Sequence, residues 1–308
     1  MSRILRITHR TEYSYASPVG LNPHRLMLRP RDGHDLWVDD ALLTIKPKAS
    51  LRWYFDTFGN SVAEAVFTEP ADHLLIQSEL VIRRYPSERA FRPPGAHICL
   101  FPFAYSEEDT LDLSPYLALH HPQDTEVLNQ WLNSVFIDRP EKAFSFLRSL
   151  SDAIHNNLGY SSREEMGTQS PAETILRGVG TCRDFAFLFM EAARIFGFAA
   201  RFVTGYLDDM PTNPDISPGT SHGTSPGTSN TPVGGGATHA WADVFIPGEG
   251  WIEFDPTNRI VGGRALIRVA TTRTPSQASP VSGSFRGTSE MYLGLQVSVD
   301  VSETEEPG

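Results

Sequence analysis

Between Cys182 and Phe196 the chain has the spacing of a helix but almost no polar face. Phe185, Ala186, Phe187, Leu188, Phe189, Met190, Ala192, Ala193, Ile195 and Phe196 cover nearly its whole circumference. A helix of that kind is stable only when other elements surround it, so the chain must build a domain around this segment. Gly197 ends the helix, and Ala200, Phe202, Thr204 and Tyr206 follow at the period of a strand.

The elements needed to surround it can be read on both sides. Val127, Leu128, Trp131, Leu132 and Val135 recur at helical spacing, as do Phe144, Leu147, Leu150, Ile154 and Leu158. Ser170-Pro171-Ala172-Glu173 is a capping box with proline in the first turn, which predicts a short helix from 171 to about 177, closed by Gly178. Downstream, 238–246 and 251–255 read as two strands joined at Pro247-Gly-Glu-Gly250. Helices first and an antiparallel sheet afterwards make this half an α+β domain.

The first part of the chain follows a different rule. Leu5, Ile7, His9, Thr11, Tyr13 and Tyr15 alternate with Arg6, Thr8, Arg10, Glu12 and Ser14, and similar alternation returns near 41–45, 51–55 and 74–82. Residues 1–86 are therefore expected to form an antiparallel β domain without helices. The proline-rich stretch 87–120 reads as a surface crossover, and 121–301 as the α+β core. Residues 302–308 read as an acidic tail, and Glu107-Glu108-Asp109 as a solvated loop. Within the core, 208–237 is dominated by Gly, Ser, Thr, Pro and Asn, with tandem Gly-Thr-Ser repeats at 219–221, 223–225 and 227–229. That composition predicts a flexible insertion, with His222 as a solvated repeat variant.

Composition narrows the function. A net charge of -11 argues against a nucleic-acid or anionic-membrane partner, because both require clustered cations. No apolar run approaches the roughly 18 residues that span a bilayer, and the chain starts without a secretory apolar block, so the expected compartment is the cytoplasm. Two cysteines, Cys99 and Cys182, make no disulfide framework. His97-Ile-Cys99 offers too few ligands for a zinc site, so no metal is expected.

Chemistry gathers around Cys182. Thr181 has N-cap chemistry and Asp184 follows three residues later, so Cys182 opens the buried helix, where free amides and the helix dipole favour a thiolate. The competing reading of a buried cysteine as a small hydrophobe stands beside it, and for Cys99 that reading is preferred. His239 is a candidate base, or else a histidine hydrogen-bonded at a strand end. A three-residue loop at 247–249 would set it diagonal to Asp255 across the hairpin, and a five-residue loop at 245–249 directly opposite. Cys182, His239 and Asp255 would then serve as nucleophile, general base and orienting carboxylate for acyl transfer, with the Cys182 amide as an oxyanion donor. Tyr160, Trp241 and Tyr206 are candidates for a second donor or a substrate wall, against the alternative that they fill core volume.

Three blocks carry a family resemblance: Gly180-Thr-Cys182-Arg-Asp-Phe-Ala with Ala193-Arg-Ile-Phe-Gly-Phe-Ala-Ala-Arg-Phe-Val-Thr-Gly205-Tyr, then Thr238-His239-Ala-Trp241-Ala-Asp-Val-Phe, then Gly250-Trp-Ile-Glu-Phe-Asp255-Pro-Thr. Over about 140–260 they resemble the transglutaminase-like superfamily. Tyr13-Ser-Tyr-Ala-Ser-Pro-Val and Phe58-Gly-Asn resemble the bacterial transglutaminase N-terminal domain. The resemblance implies a papain-like core with Cys182, His239 and Asp255 as the triad, no organic cofactor and no calcium requirement. It also implies an amide of a protein or peptide, such as a glutamine side chain, as acyl donor, with an amine or water as acceptor. The family includes cross-linkers, peptidases, amidases and inactive members, so a cysteine peptidase or amidase and a non-catalytic binding or scaffold protein stand as alternatives. The Gly-Thr-Ser insertion before His239 departs from the family pattern.

Overall fold

Alternation in residues 5–15 becomes part of a 19-residue strand, β1 (Arg3–Leu21), with Leu5, Ile7, His9 and Thr11 all buried. The computed structural model describes residues 2–85, 99–137, 139–161, 167–208, 237–263 and 265–304. After β1 come β2 (His24–Leu26), β3 (Leu36–Lys46), β4 (Ala49–Phe55), β5 (Ser61–Phe67) and β6 (Ala71–Arg84). One sheet contains β1, β6 and β3 in that order, and a second contains β2, β5 and β4.

These strands do not complete their sheets alone. β14 (Val281–Ser282), β15 (Phe285–Arg286) and β16 (Tyr292–Glu303) return from the end of the chain: β14 pairs with β2, while β15 and β16 pair with β1. Residues 281–301, assigned to the core by the sequence pattern, thus extend the N-terminal sheets, and Asp300 to Glu303 lie in a strand rather than in a frayed tail. The signal was present: Leu295, Val297, Val299 and Val301 alternate with Gln296, Ser298, Asp300 and Ser302. Local pattern does not name a partner almost 300 residues away in the chain.

The helices are α1 (Glu107–Leu117), α2 (Thr125–Val135), α3 (Ala143–Asn157), α4 (Pro171–Arg177) and α5 (Cys182–Ile195). The first corrects the expected crossover, of which residues 86–98 lie outside the described residues. Ser106 caps α1 by accepting from the Asp109 amide at 3.0 Å, and the acidic triplet sits in the first turn, where the helix dipole favours it. Ahead of it, Phe101 and Phe103 pack against the α5 core. Tyr105 accepts from the Ala199 amide at 2.9 Å and donates to the Phe245 carbonyl at 2.8 Å.

Of the α5 residues, all but Arg183 and Ile195 are buried, as a helix without a polar face requires. It packs on a five-stranded antiparallel sheet formed by β9 (Ala200–Leu207), β10 (His239–Ile246), β11 (Gly250–Asp255), β12 (Ile260–Val261) and β13 (Leu266–Thr272), in the order β12-β11-β10-β9-β13. The molecule is α+β, with its core around α5. β9 and β13 meet the N-terminal sheet through Tyr206, Ile267 and Val269, which pack with Leu5, Ile7 and Leu80. The remaining pair, β7 (Gly159–Tyr160) and β8 (Val179–Gly180), is parallel and lies just upstream of α5. Residues 209–236, most of the expected insertion and including His222, lie outside the described residues, as do 305–308 of the expected tail.

Candidate active site

The head of α5 is built by reciprocal capping. The Asp184 amide donates to Thr181 Oγ1 at 3.4 Å, while the Thr181 amide donates to Asp184 Oδ2 at 2.8 Å. The second carboxylate oxygen of Asp184 accepts from the Gln169 amide at 2.6 Å, so the cap is tied to the chain ahead of α4. Cys182 is thereby held at the first helical position, buried but 7% exposed.

His239 opens β10, opposite Gly205 of β9. A side chain at Gly205 would collide with the Ile267 carbonyl and with Trp241, so this close approach needs glycine. The β10–β11 hairpin pairs Ile246 with Gly250, giving the three-residue loop 247–249. Continued to the strand ends, that register sets Asp255 opposite Trp241 and diagonal to His239. The His239 Nε2–H donates to Asp255 Oδ2 at 2.8 Å, and both side chains are completely buried. With Nε2 carrying the proton toward the carboxylate, Nδ1 is the ring nitrogen left to accept one. Nδ1 is buried and makes no well-formed hydrogen bond, yet Cys182 lies near enough for its charge to bear on the ring.

Burial alone would lower the imidazole pKa. The Asp255 carboxylate and a charge at Cys182 outweigh it and push His239 up to about 10. Burial would likewise raise Asp255, but the histidine and the hydrogen bonds from Asn258 and Thr257 hold it below the usual carboxylate range. The ring is thus a strong base for its position, able to take a proton at Nδ1 and to return it.

Of the three aromatic candidates, Tyr160 borders this group. β7 pairs Tyr160 with Gly180, two residues before Cys182, and the ring is 38% exposed, edge-on to Phe185. Partial burial, with negative charge at Cys182 and Asp255, raises its phenol pKa and so keeps its proton available for donation. Trp241 is fully buried behind the imidazole, the two rings 6.3 Å apart and 28° from parallel, and it packs with Val203, Leu207 and Leu266. It is a wall for His239 rather than for a substrate.

Tyr206 is not brought to the site. It lies in the contact with the N-terminal sheet, its hydroxyl 3.0 Å from His9 Nδ1, while His9 Nε2 faces Thr11 Oγ1 at 3.1 Å. Burial drops His9 to about 4, so its neutral ring donates to one of these two hydroxyls and accepts from the other. Proximity in sequence to the Gly205 register position concealed that it serves the domain contact.

One residue at the site escaped sequence reasoning. Asn258 Nδ2 donates to Asp255 Oδ2 at 2.9 Å. Its signal was an amide side chain directly after Asp255-Pro-Thr, where a turn side chain can hydrogen-bond locally. Among the described residues no group of three or more His, Cys, Asp or Glu is arranged to hold a metal ion, and no helix is long and apolar enough to cross a membrane.

Comparison with known proteins agrees with this architecture. Residues 5–83 match the bacterial transglutaminase-like N-terminal region, and residues 132–256 match the transglutaminase-like superfamily, spanning Cys182, His239 and Asp255. The chain belongs to the transglutaminase-like superfamily. An uncharacterized protein of Mycobacterium tuberculosis is 30% identical over 309 residues, covering 96% of this chain and 91% of its own. An uncharacterized protein of Mycobacterium leprae is 24% identical over 301 residues, covering 96% and 98%. In structure, a candidate cysteine protease from Cytophaga hutchinsonii aligns with a TM-score of 0.70 at 19% identity, covering all of this chain and 93% of its own. That likeness extends the shared fold across both the β sheets and the α5 core of this superfamily member.

Proposed function

We propose that the protein is a thiol acyltransferase acting on amides of proteins or peptides, with Cys182 as nucleophile, His239 as proton carrier and Asp255 as its orienting carboxylate. The observation that carries this reading is the buried His239–Asp255 pair at 2.8 Å, whose second ring nitrogen is unengaged beside the head of α5. Membership of the transglutaminase-like superfamily supports it. The Cys182 sulfur, its proton passed to Nδ1, forms a bond to the amide carbon. The carbon–nitrogen bond then breaks, and the nitrogen leaves as amine or ammonia with the proton from His239. A second amine, or water, attacks the thioester while His239 takes its proton, and the sulfur leaves as thiolate. The Cys182 amide and the Tyr160 hydroxyl are the proposed donors to the developing oxyanion.

The acceptor distinguishes a cross-linking enzyme from a peptidase or amidase using the same residues, and a scaffold protein would perform neither reaction. Ammonia release from a glutamine-containing peptide, followed with and without a primary amine, separates them. Release with formation of the amine adduct, both absent in Cys182→Ala, is the expected result. Release without an adduct assigns hydrolysis. Failure to cleave either glutamine or backbone amides would leave the scaffold reading.

A further inference from the structure

The carboxylate of Asp255 is shared among more donors than the imidazole. Its Oδ1 accepts from the amides of Thr257 at 2.9 Å and Asn258 at 3.3 Å, while Oδ2, the oxygen that faces His239, also accepts from Asn258 Nδ2 at 2.9 Å. The same Nδ2 lies 3.5 Å from His239 Nε2, too long for a strong bond but in contact with the pair. We propose that Asn258 is a positioning residue: its amide fixes the rotation of the Asp255 carboxylate and thereby keeps the Asp255-facing proton of His239 on Nε2, so that Nδ1 is the nitrogen that exchanges a proton with Cys182.

The turn that presents Asn258 is itself clamped to α3 from both sides. His155 Nδ1 donates to the Thr257 carbonyl at 3.0 Å, and Arg259 Nε donates to Asp152 Oδ1 at 2.7 Å. Arg259 adopts a φ of 58°, the left-handed region that non-glycine residues enter only when their surroundings impose it. Asn258 is therefore held at a fixed distance from the pair. A group fixed there acts on charge as well as on shape. The titratable side chains that bear on Asp255 among the described residues are His239 from β10 and Tyr160 from β7, with Cys182 from α5 acting on the His239 ring, and Asn258 adds a neutral side-chain donor. Removing a neutral donor from a carboxylate makes it easier to protonate, and an uncharged Asp255 no longer supports the imidazolium.

The proposal uses the acyl-transfer reading only for its consequence on Cys182, and two measurements keep them apart. The first is the rate of Cys182 alkylation by iodoacetamide from acid to mildly alkaline pH, in the full chain. In Asn258→Ala the acid limb should move upward by about 0.5–1 pH unit, the equivalent of one lost hydrogen bond. In the isosteric Asn258→Asp, which adds like charge, it should move further. The second is the nitrogen-15 spectrum of the His239 ring in a Cys182→Ala background, recorded at a pH alkaline enough for the ring to be neutral, where a single Nε2-protonated form should become a mixture once Asn258 is replaced by Ala.

Limbs and ring spectra that superimpose on those of the unsubstituted protein would overturn the proposal. So would uniformly slower alkylation at every pH with a lowered melting temperature and an unmoved limb, the signature of a purely structural turn residue. If Cys182 in the unsubstituted protein alkylates no faster than Cys99, the acyl-transfer reading fails, and the ring spectra still decide the role of Asn258.

Discussion

The two ends of α5 each lie beside a buried ion pair, and the pairs differ in one respect. Near the tail, Arg194 Nη1 meets Glu191 Oε1 at 2.8 Å; by the head, His239 meets Asp255 at the same distance, and all four side chains are essentially without solvent contact. Every side-chain nitrogen and oxygen of the tail pair has a partner. Arg194 also donates to the carbonyls of Ala200 and Arg273, and Glu191 Oε2 accepts from the His120 and His121 amides. At the head, Nδ1 of His239 and the adjacent Trp241 indole N–H have no hydrogen-bond partner among the described residues. A buried charge is held at lowest cost when its donors and acceptors are spent, because an orphan is costly. An unfilled valence on a buried imidazole is tolerable where a proton or substrate will use it.

Substitutions at the two ends should therefore fail in different ways. The largest effect on stability is expected for Glu191→Ala, which strands the Arg194 guanidinium and two backbone amides. It should cost about 3–5 kcal/mol in denaturant unfolding, without changing the alkylation rate of Cys182 in the folded fraction. A loss under about 1 kcal/mol would show that the tail pair does not hold α5 in place.

Next in size is a dependence on pH that only the head should show. The folded-state pKa of His239 lies near 10, above its ordinary value of 6.5. The stabilisation it brings is thus fully present below about pH 6.5 and is lost as pH rises through about 10. Thermal melting of the unsubstituted protein should fall across that window by the equivalent of a few kcal/mol, and the slope should flatten in His239→Gln. Equal slopes in both proteins would remove the imidazolium from the account. Asp255, with its depressed pKa, contributes stability that is lost on the acid side instead.

The smallest effect is expected at the rim. Tyr160→Phe removes a partly exposed hydroxyl and should slow ammonia release by about threefold to tenfold with an unchanged melting temperature. An unchanged rate would take Tyr160 out of the substrate's reach.

Features set by local spacing were legible in the sequence. α5 is buried because Phe185 to Phe196 leave almost no polar face beyond the paired Glu191 and Arg194, α4 begins at Pro171 because Ser170 caps it, and loop parity already offered the diagonal His239–Asp255 arrangement that the hairpin adopts. Features set by distant partners were not. The alternation of β16 is plain, but nothing local says that it pairs with β1. Tyr206 lies beside Gly205 in the chain, yet its hydroxyl belongs to His9, nearly 200 residues earlier. Proline-rich composition concealed α1, in which Pro115 sits inside the helix and Ser106 supplies the cap. Asn258 escaped because its role depends on how a turn folds back onto Asp255, a matter of geometry rather than periodicity.

The two cysteines provide the most direct test that the head of α5 is a reactive centre. Cys182 and Cys99 are both free thiols, but only Cys182 sits at a helix N-terminus beside an imidazole, and burial pushes the Cys99 thiol pKa up. Iodoacetamide labelling near neutral pH, read by mass spectrometry for each cysteine separately, should modify Cys182 at least about tenfold faster than Cys99, and His239→Ala should abolish the difference. Slow labelling of both thiols at equal rates, unaffected by His239→Ala, would contradict the account.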